Sequence, residues 1–127
     1  SILKNDGAKP LRDVREIISI EEWGRLKQSA ENCFVSDALY DYVVRLTEAT
    51  RESRYLALGA SPRASIALLR MAKAMAVLRG RDYVVPEDIK EVYYYVFAHR
   101  VRLDTMAKAE GMTVIEVLVQ VFEHEKI

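Results

Sequence analysis

Apolar residues recur at helical spacing through most of this chain, and the breaks between runs fall where capping residues stand. Residues 1–18 do not share the pattern. Gly7 and Pro10 interrupt them before Val14, Ile17 and Ile18, which predicts a partly extended lead-in segment. Ser19 and Glu22 have the spacing of a capping box and open a predicted helix over Ile20–Glu31, with Trp23 and Leu26 on its apolar side. Cys33-Phe34-Val35 is a short apolar connector. Ser36 then caps a second predicted helix reaching about Arg51, with Leu39, Tyr42, Val43 and Leu46 on one face.

Arg51–Leu58 predicts a loop ending in a short extended piece. A third helix is expected from Pro62 to Arg79, stopped by Gly80. It is apolar almost all round, through Ile66, Leu68, Leu69, Met71, Met75, Val77 and Leu78. Such a helix belongs in the middle of a bundle. Arg63, Arg70 and Lys73 form its narrow polar stripe, and its alanines would let neighbours approach closely. Pro86 opens a fourth helix ending near His99, with Glu87 and Asp88 in the first turn where the helix dipole favours them. Val101–Leu103 reads as extended and able to pair with Tyr55–Leu58. Thr113 and Glu116 form a second capping box, opening a last helix that carries Val114, Val117, Leu118, Val121 and Phe122. The predicted fold is therefore mainly α. It is a small helical bundle of about five helices over residues 19–127, with at most a short two-stranded pairing.

A chain of 127 residues, half of them hydrophobic, supports one core rather than two domains. Its 19 basic and 19 acidic residues cancel, so no global field gathers nucleic acid or an anionic membrane. A single cysteine, Cys33, excludes an internal disulfide and suits a reducing cytoplasm. No apolar stretch is long enough to span a bilayer, and no signal peptide is visible. The chain starts at Ser1 rather than Met, so a piece of something longer is expected.

Little in the sequence forms a catalytic set. His99 and His124 stand 25 residues apart and do not suggest a metal pair. Cys33 reads as a small core hydrophobe. Tyr93-Tyr94-Tyr95 offers aromatic surface, but helical spacing turns one or two of these rings into the core. The informative run is Leu58-Gly59-Ala60-Ser61-Pro62-Arg63-Ala64-Ser65. It reads as a glycine turn, a Ser61 N-cap, Pro62 at the first helical position, and Arg63 in the first turn. The dipole disfavours a cation there. Arg63 therefore needs an answering anion, either an internal carboxylate such as Asp82 or a glutamate, or an external phosphate matched to its donor fork.

Gly59-Ala60-Ser61-Pro62-Arg63-Ala64-Ser65, the alanine-rich helix after it, and Leu78-Arg79-Gly80-Arg81-Asp82-Tyr83-Val84-Val85-Pro86-Glu87-Asp88-Ile89 together resemble the C-terminal helical lid of MoxR-family AAA+ ATPases. Ser36–Val43 and Ala98-His99-Arg100-Val101 fit the same family in the same order. The resemblance covers nearly the whole chain and is weakest over residues 1–12 and 104–127. It implies a lid packed over ATP and Mg2+ held by a core absent from this sequence, with no cofactor bound by this segment alone. Arg63 becomes the sensor-2 arginine that reaches the γ-phosphate, with Ser61 and Pro62 beside the nucleotide and residues 1–18 as the hinge. Expected partners are that core, neighbouring subunits of a ring, and client proteins such as von Willebrand A-type-domain or metal-containing complexes. One departure is Val85, where the family often has a capping Thr. The alternatives are the lid of a magnesium-chelatase-like ATPase subunit, a protein-interaction adaptor, or a nucleic-acid module using Arg51, Arg54, Arg63, Arg70, Arg79 and Arg81.

Overall fold

Side-chain caps at Ser36, Asp104 and Thr113 start three of the helices in the computed structural model, which describes residues 20–127. The expectations for residues 1–18 and for the Ser19 cap lie outside these described residues. In chain order the elements are α1 (Ile20–Glu31), α2 (Asp37–Glu52), β1 (Leu56–Leu58), α3 (Pro62–Leu78), α4 (Pro86–Phe97), β2 (Arg102–Leu103), α5 (Thr105–Ala109) and α6 (Val114–His124). Ser36 Oγ accepts the Leu39 N–H at 3.2 Å and starts α2. Thr113 and Glu116 close their box reciprocally, with Glu116 N–H donating to Thr113 Oγ1 at 3.1 Å and Thr113 N–H to Glu116 Oε1 at 2.8 Å. The short helix α5 adds to the predicted set. Its five residues carry too little periodicity to be seen, and Asp104 starts it by accepting the Met106 N–H at 3.0 Å.

The two-stranded pairing expected between Tyr55–Leu58 and Val101–Leu103 is present. β1 and β2 run antiparallel, with Leu56 opposite Leu103 and Leu58 opposite Arg102. The core joins Leu39, Tyr42, Val43 and Leu46 of α2 to Ile89, Val92, Tyr93 and Phe97 of α4 and Leu118 of α6. Helix α3 contacts α1, α2 and α4, as a central helix should. Its buried face, however, is Ala64, Leu68, Ala72 and Ala76. Ile66, Met71 and Leu78 stay exposed, so the helix is central by its neighbours without being covered on every side. The neighbours close on the small residues and Leu68, while Leu69, Met75 and Val77 pack partly buried against the core, and the three exposed side chains are left outside it.

The far end of α3 stops in a left-handed glycine. Gly80 has φ +81, its N–H bonds Val77 O at 2.9 Å, and the Arg81 N–H bonds Ala76 O at 2.9 Å. This is the paired arrangement that satisfies the last carbonyls of a helix. The turn delivers Arg81 to Asp88, which is fully buried in the first turn of α4. Arg81 Nη1 and Nη2 each donate to one carboxylate oxygen at 2.7 Å, and Arg79 Nη1 lies 3.5 Å from Asp88 Oδ1. The same carboxylate accepts the Val85 N–H at 2.9 Å. Val85 has no side-chain acceptor to offer, so Asp88 supplies the half of the cap that remains available. The α1–α2 connector joins this loop, because Phe34 N–H donates to Asp82 O and Val84 N–H to Phe34 O, both at 2.9 Å.

Burial opposes ionisation of Asp88. The hydrogen bonds from Arg81 and Val85 and the charges of Arg81 and Arg79 outweigh it, holding the carboxyl below its ordinary value. A depressed folded-state pKa gives stability that is complete above the unfolded carboxylate pKa of about 3.9 and is lost as pH falls through the folded value. Asp88→Asn should therefore cost about 3 kcal/mol near neutrality, the scale for breaking a buried ion pair. Denaturant titrations should show the gap from the parent sequence narrowing below about pH 4. A gap that stays constant through the acid range would rule out the ion pair as its source.

Candidate functional site

Arg63 is exposed in the first turn of α3, and no ion pair or side-chain hydrogen bond joins it to another described residue. The internal carboxylate considered for it is out of reach. Asp82 follows the C-terminus of this seventeen-residue helix, about 25 Å of helix away. Ser61 occupies the N-cap position in extended conformation, but its side chain makes no capping hydrogen bond. Only its backbone oxygen takes part, accepting the Ala64 N–H at 2.8 Å. The expected hydroxyl cap is therefore corrected: Pro62 removes one first-turn donor, and the Ser61 hydroxyl is left uncommitted. An unpaired guanidinium beside an uncapped helix start is an arrangement that attracts an oxyanion.

What fixes this arrangement comes from α2. The Ala60 N–H, fully buried, donates to Thr50 Oγ1 at 2.9 Å. Thr50 Oγ1 in turn donates to Thr47 O at 2.6 Å. Thr47 Oγ1 lies 3.0 Å from Val43 O and 2.6 Å from Ser65 Oγ. One hydroxyl has one proton, so with Thr47 donating to Val43, Ser65 is the donor to Thr47. Gly59 is pressed against the α2 backbone, where a Cβ would meet the Arg51 Cα and lie 2.6 Å from the Arg51 nitrogen. Gly59 does not have positive φ. The residue is required here by closeness rather than by the turn that its sequence suggests. Sequence reasoning passed over Thr47 and Thr50. The signal was present: they extend the buried Leu39, Tyr42, Val43 and Leu46 face by one turn with hydroxyls instead of hydrocarbon.

The remaining cations divide sharply. Arg79 and Arg81 are engaged with Asp88 and Glu91, Arg54 donates to Tyr55 Oη at 2.8 Å, and Arg45 bridges Asp41 and Glu125. Arg51, Arg63 and Arg70 are exposed without such partners among the described residues. Of six arginines weighed for nucleic-acid binding, half are thus committed internally. Cys33 is buried, and burial raises its thiol pKa, which suits packing rather than nucleophilic chemistry. Tyr93 is buried with its hydroxyl donating to Leu118 O at 2.9 Å, while Tyr95 is exposed. Among the described residues no group of three or more His, Cys, Asp and Glu side chains is placed to hold a metal ion. No described helix is long and apolar enough to cross a membrane.

Residues 48–121 match the AAA lid domain family. The Bacillus subtilis protein YeaC is 32% identical over 118 residues, covering 93% of this chain and 37% of that one. Chaperone MoxR1 of Mycobacterium tuberculosis is 42% identical over 108 residues, covering 78% of this chain and 29% of that one. A crystal structure from Cytophaga hutchinsonii, assigned as an ATPase, superposes with a TM-score of 0.74 at 38% identity, over 79% of this chain and 33% of that one. The chain therefore spans about a third of the length of these relatives.

Gly59→Ala should destabilise the chain by about 2 kcal/mol, because backbone rather than a movable side chain blocks the added methyl. Denaturant unfolding measures this. A neutral result would show that the loop can retreat from α2.

Proposed function

This chain belongs to the AAA lid domain family, and from that premise we propose that it closes over ATP held by the remainder of a MoxR-type AAA+ ATPase, presenting Arg63 to the γ-phosphate as a sensor-2 residue. One observation carries this reading: Arg63 is exposed and unpaired at a helix start that α2 holds in place. Position and charge suit an oxyanion delivered from outside the described residues. In the parent protein the core would bind the nucleotide and Mg2+. ATP supplies a phosphoryl group whose oxygens carry charge during transfer, and a guanidinium fork offsets charge of that kind.

Arg63 is the residue that would touch the phosphate. Ser61 and Pro62 would stand beside it, with the free Ser61 hydroxyl the nearest further donor on this chain. Loss of the γ-phosphate would release Arg63 and allow the lid to rotate on its connection to the core, a hinge movement driven by ligand. Neighbouring subunits of a ring would feel that rotation. Similarity to a protein named as a chaperone supports action on client proteins. Von Willebrand A-type-domain proteins are the first class to test. The split among the arginines disfavours the nucleic-acid alternative.

In the full-length ATPase, Arg63→Ala should lower kcat about 100-fold, the scale for removing one preorganised donor from a developing oxyanion. ADP affinity should change little, since ADP lacks the γ-phosphate. As an exposed substitution it should alter unfolding free energy by less than about 0.5 kcal/mol. Turnover assays with calorimetric ADP binding separate these outcomes, and unchanged turnover would remove the sensor assignment.

A further inference from the structure

Resting on the role proposed for Arg63, we propose that Thr50 is its positioning residue, acting with Thr47 and Ser65 through a buried relay of hydroxyls. Thr50 is fully buried, and both uses of its hydroxyl are taken: it donates to Thr47 O at 2.6 Å and accepts the Ala60 N–H at 2.9 Å. Ala60 is itself fully buried, so no solvent replaces that acceptor. The second attachment runs from Ser65 Oγ to Thr47 Oγ1 at 2.6 Å. These two side-chain hydrogen bonds, among the described residues, are the ones joining α2 to the entry and first turn of α3, and they flank Arg63. Ala60 precedes it by three residues and Ser65 follows by two.

The intervening chain has little freedom to absorb a change. Pro62 fixes its own φ, Gly59 lies against the Arg51 backbone, and Ala64 is fully buried. Displacement of the Ala60 amide therefore moves the Arg63 Cα with it. A guanidinium aimed at a phosphate works through placement, and a shift of about 1 Å at a reacting group costs up to about 100-fold in rate. Thr50 thus serves the ATPase without touching nucleotide.

The test uses the full-length ATPase with Thr50→Val, Thr50→Ser, and each combined with Arg63→Ala. Thr50→Val keeps the side-chain shape and removes the hydroxyl. It should lower kcat roughly 10- to 100-fold with ADP affinity preserved, and Thr50→Ser should restore turnover to within about threefold of the parent. In the Arg63→Ala background, Thr50→Val should change turnover by less than about twofold, because its effect passes through the arginine. Ser65→Ala, at a half-buried position, gives the same comparison should Thr50→Val fail to fold. Equal fold losses with Arg63 present or absent would overturn the positioning role while leaving the arginine's own role standing. Unchanged turnover on Arg63→Ala alone would instead remove the reading on which this inference rests.

Discussion

Three helices reach α3 because the surface it offers them is made mostly of methyl groups. Ala64, Ala72 and Ala76 are fully buried with Leu68 in a single row, each four residues from the next. Side chains that end at Cβ let backbones approach, so α1, α2 and α4 can all contact one helix of seventeen residues. A larger residue in that row would separate the layers and cost packing around it. Much else follows from the close approach. The Ala60 amide is buried, so it requires an acceptor from α2, and Thr50 is placed to supply one. At the opposite end the chain must turn back immediately, which calls for the left-handed Gly80 and brings Arg81 to Asp88.

The helix starts were legible because caps and prolines announce them in one dimension. Ser36, Pro62, Pro86 and the Thr113–Glu116 box all stand where helices begin. The weak ribbon was legible too, since two short extended runs had no other partner. The sequence did not disclose which side of α3 would be covered. An alternation that is apolar on every face carries no direction, and the choice depends on how close the neighbours come. Arg63 stood out by its conflict with the helix dipole. Its support did not stand out, because Thr47 and Thr50 lie on α2, more than ten residues away in sequence. Ser61 misled in a simple way: a serine at the N-cap position need not use its hydroxyl there.

Buried polar groups in this domain are few and each is spoken for. Thr47, Thr50 and Asp88 are the buried polar side chains among the described residues, and all have partners at hydrogen-bond distance. They fall into two sets at opposite ends of α3. One set is neutral and indifferent to pH over the physiological range; the other is an ion pair whose contribution disappears in acid. The entry to α3, with its arginine, is therefore held by forces that titration near neutrality leaves untouched.

Fixing a helix at both ends also makes it a rigid arm. Seventeen residues span about 25 Å, so a tilt of about 10° around the Arg63 end carries the Gly80 end through about 4 Å. Phe34 and Tyr83 ride there, bridged to each other and exposed at 64% and 47%. A small rotation at the charged tip becomes a displacement larger than a carbon–carbon contact at the aromatic tip. The end of α3 that a tilt about Arg63 moves furthest is the end that shows these two rings to solvent.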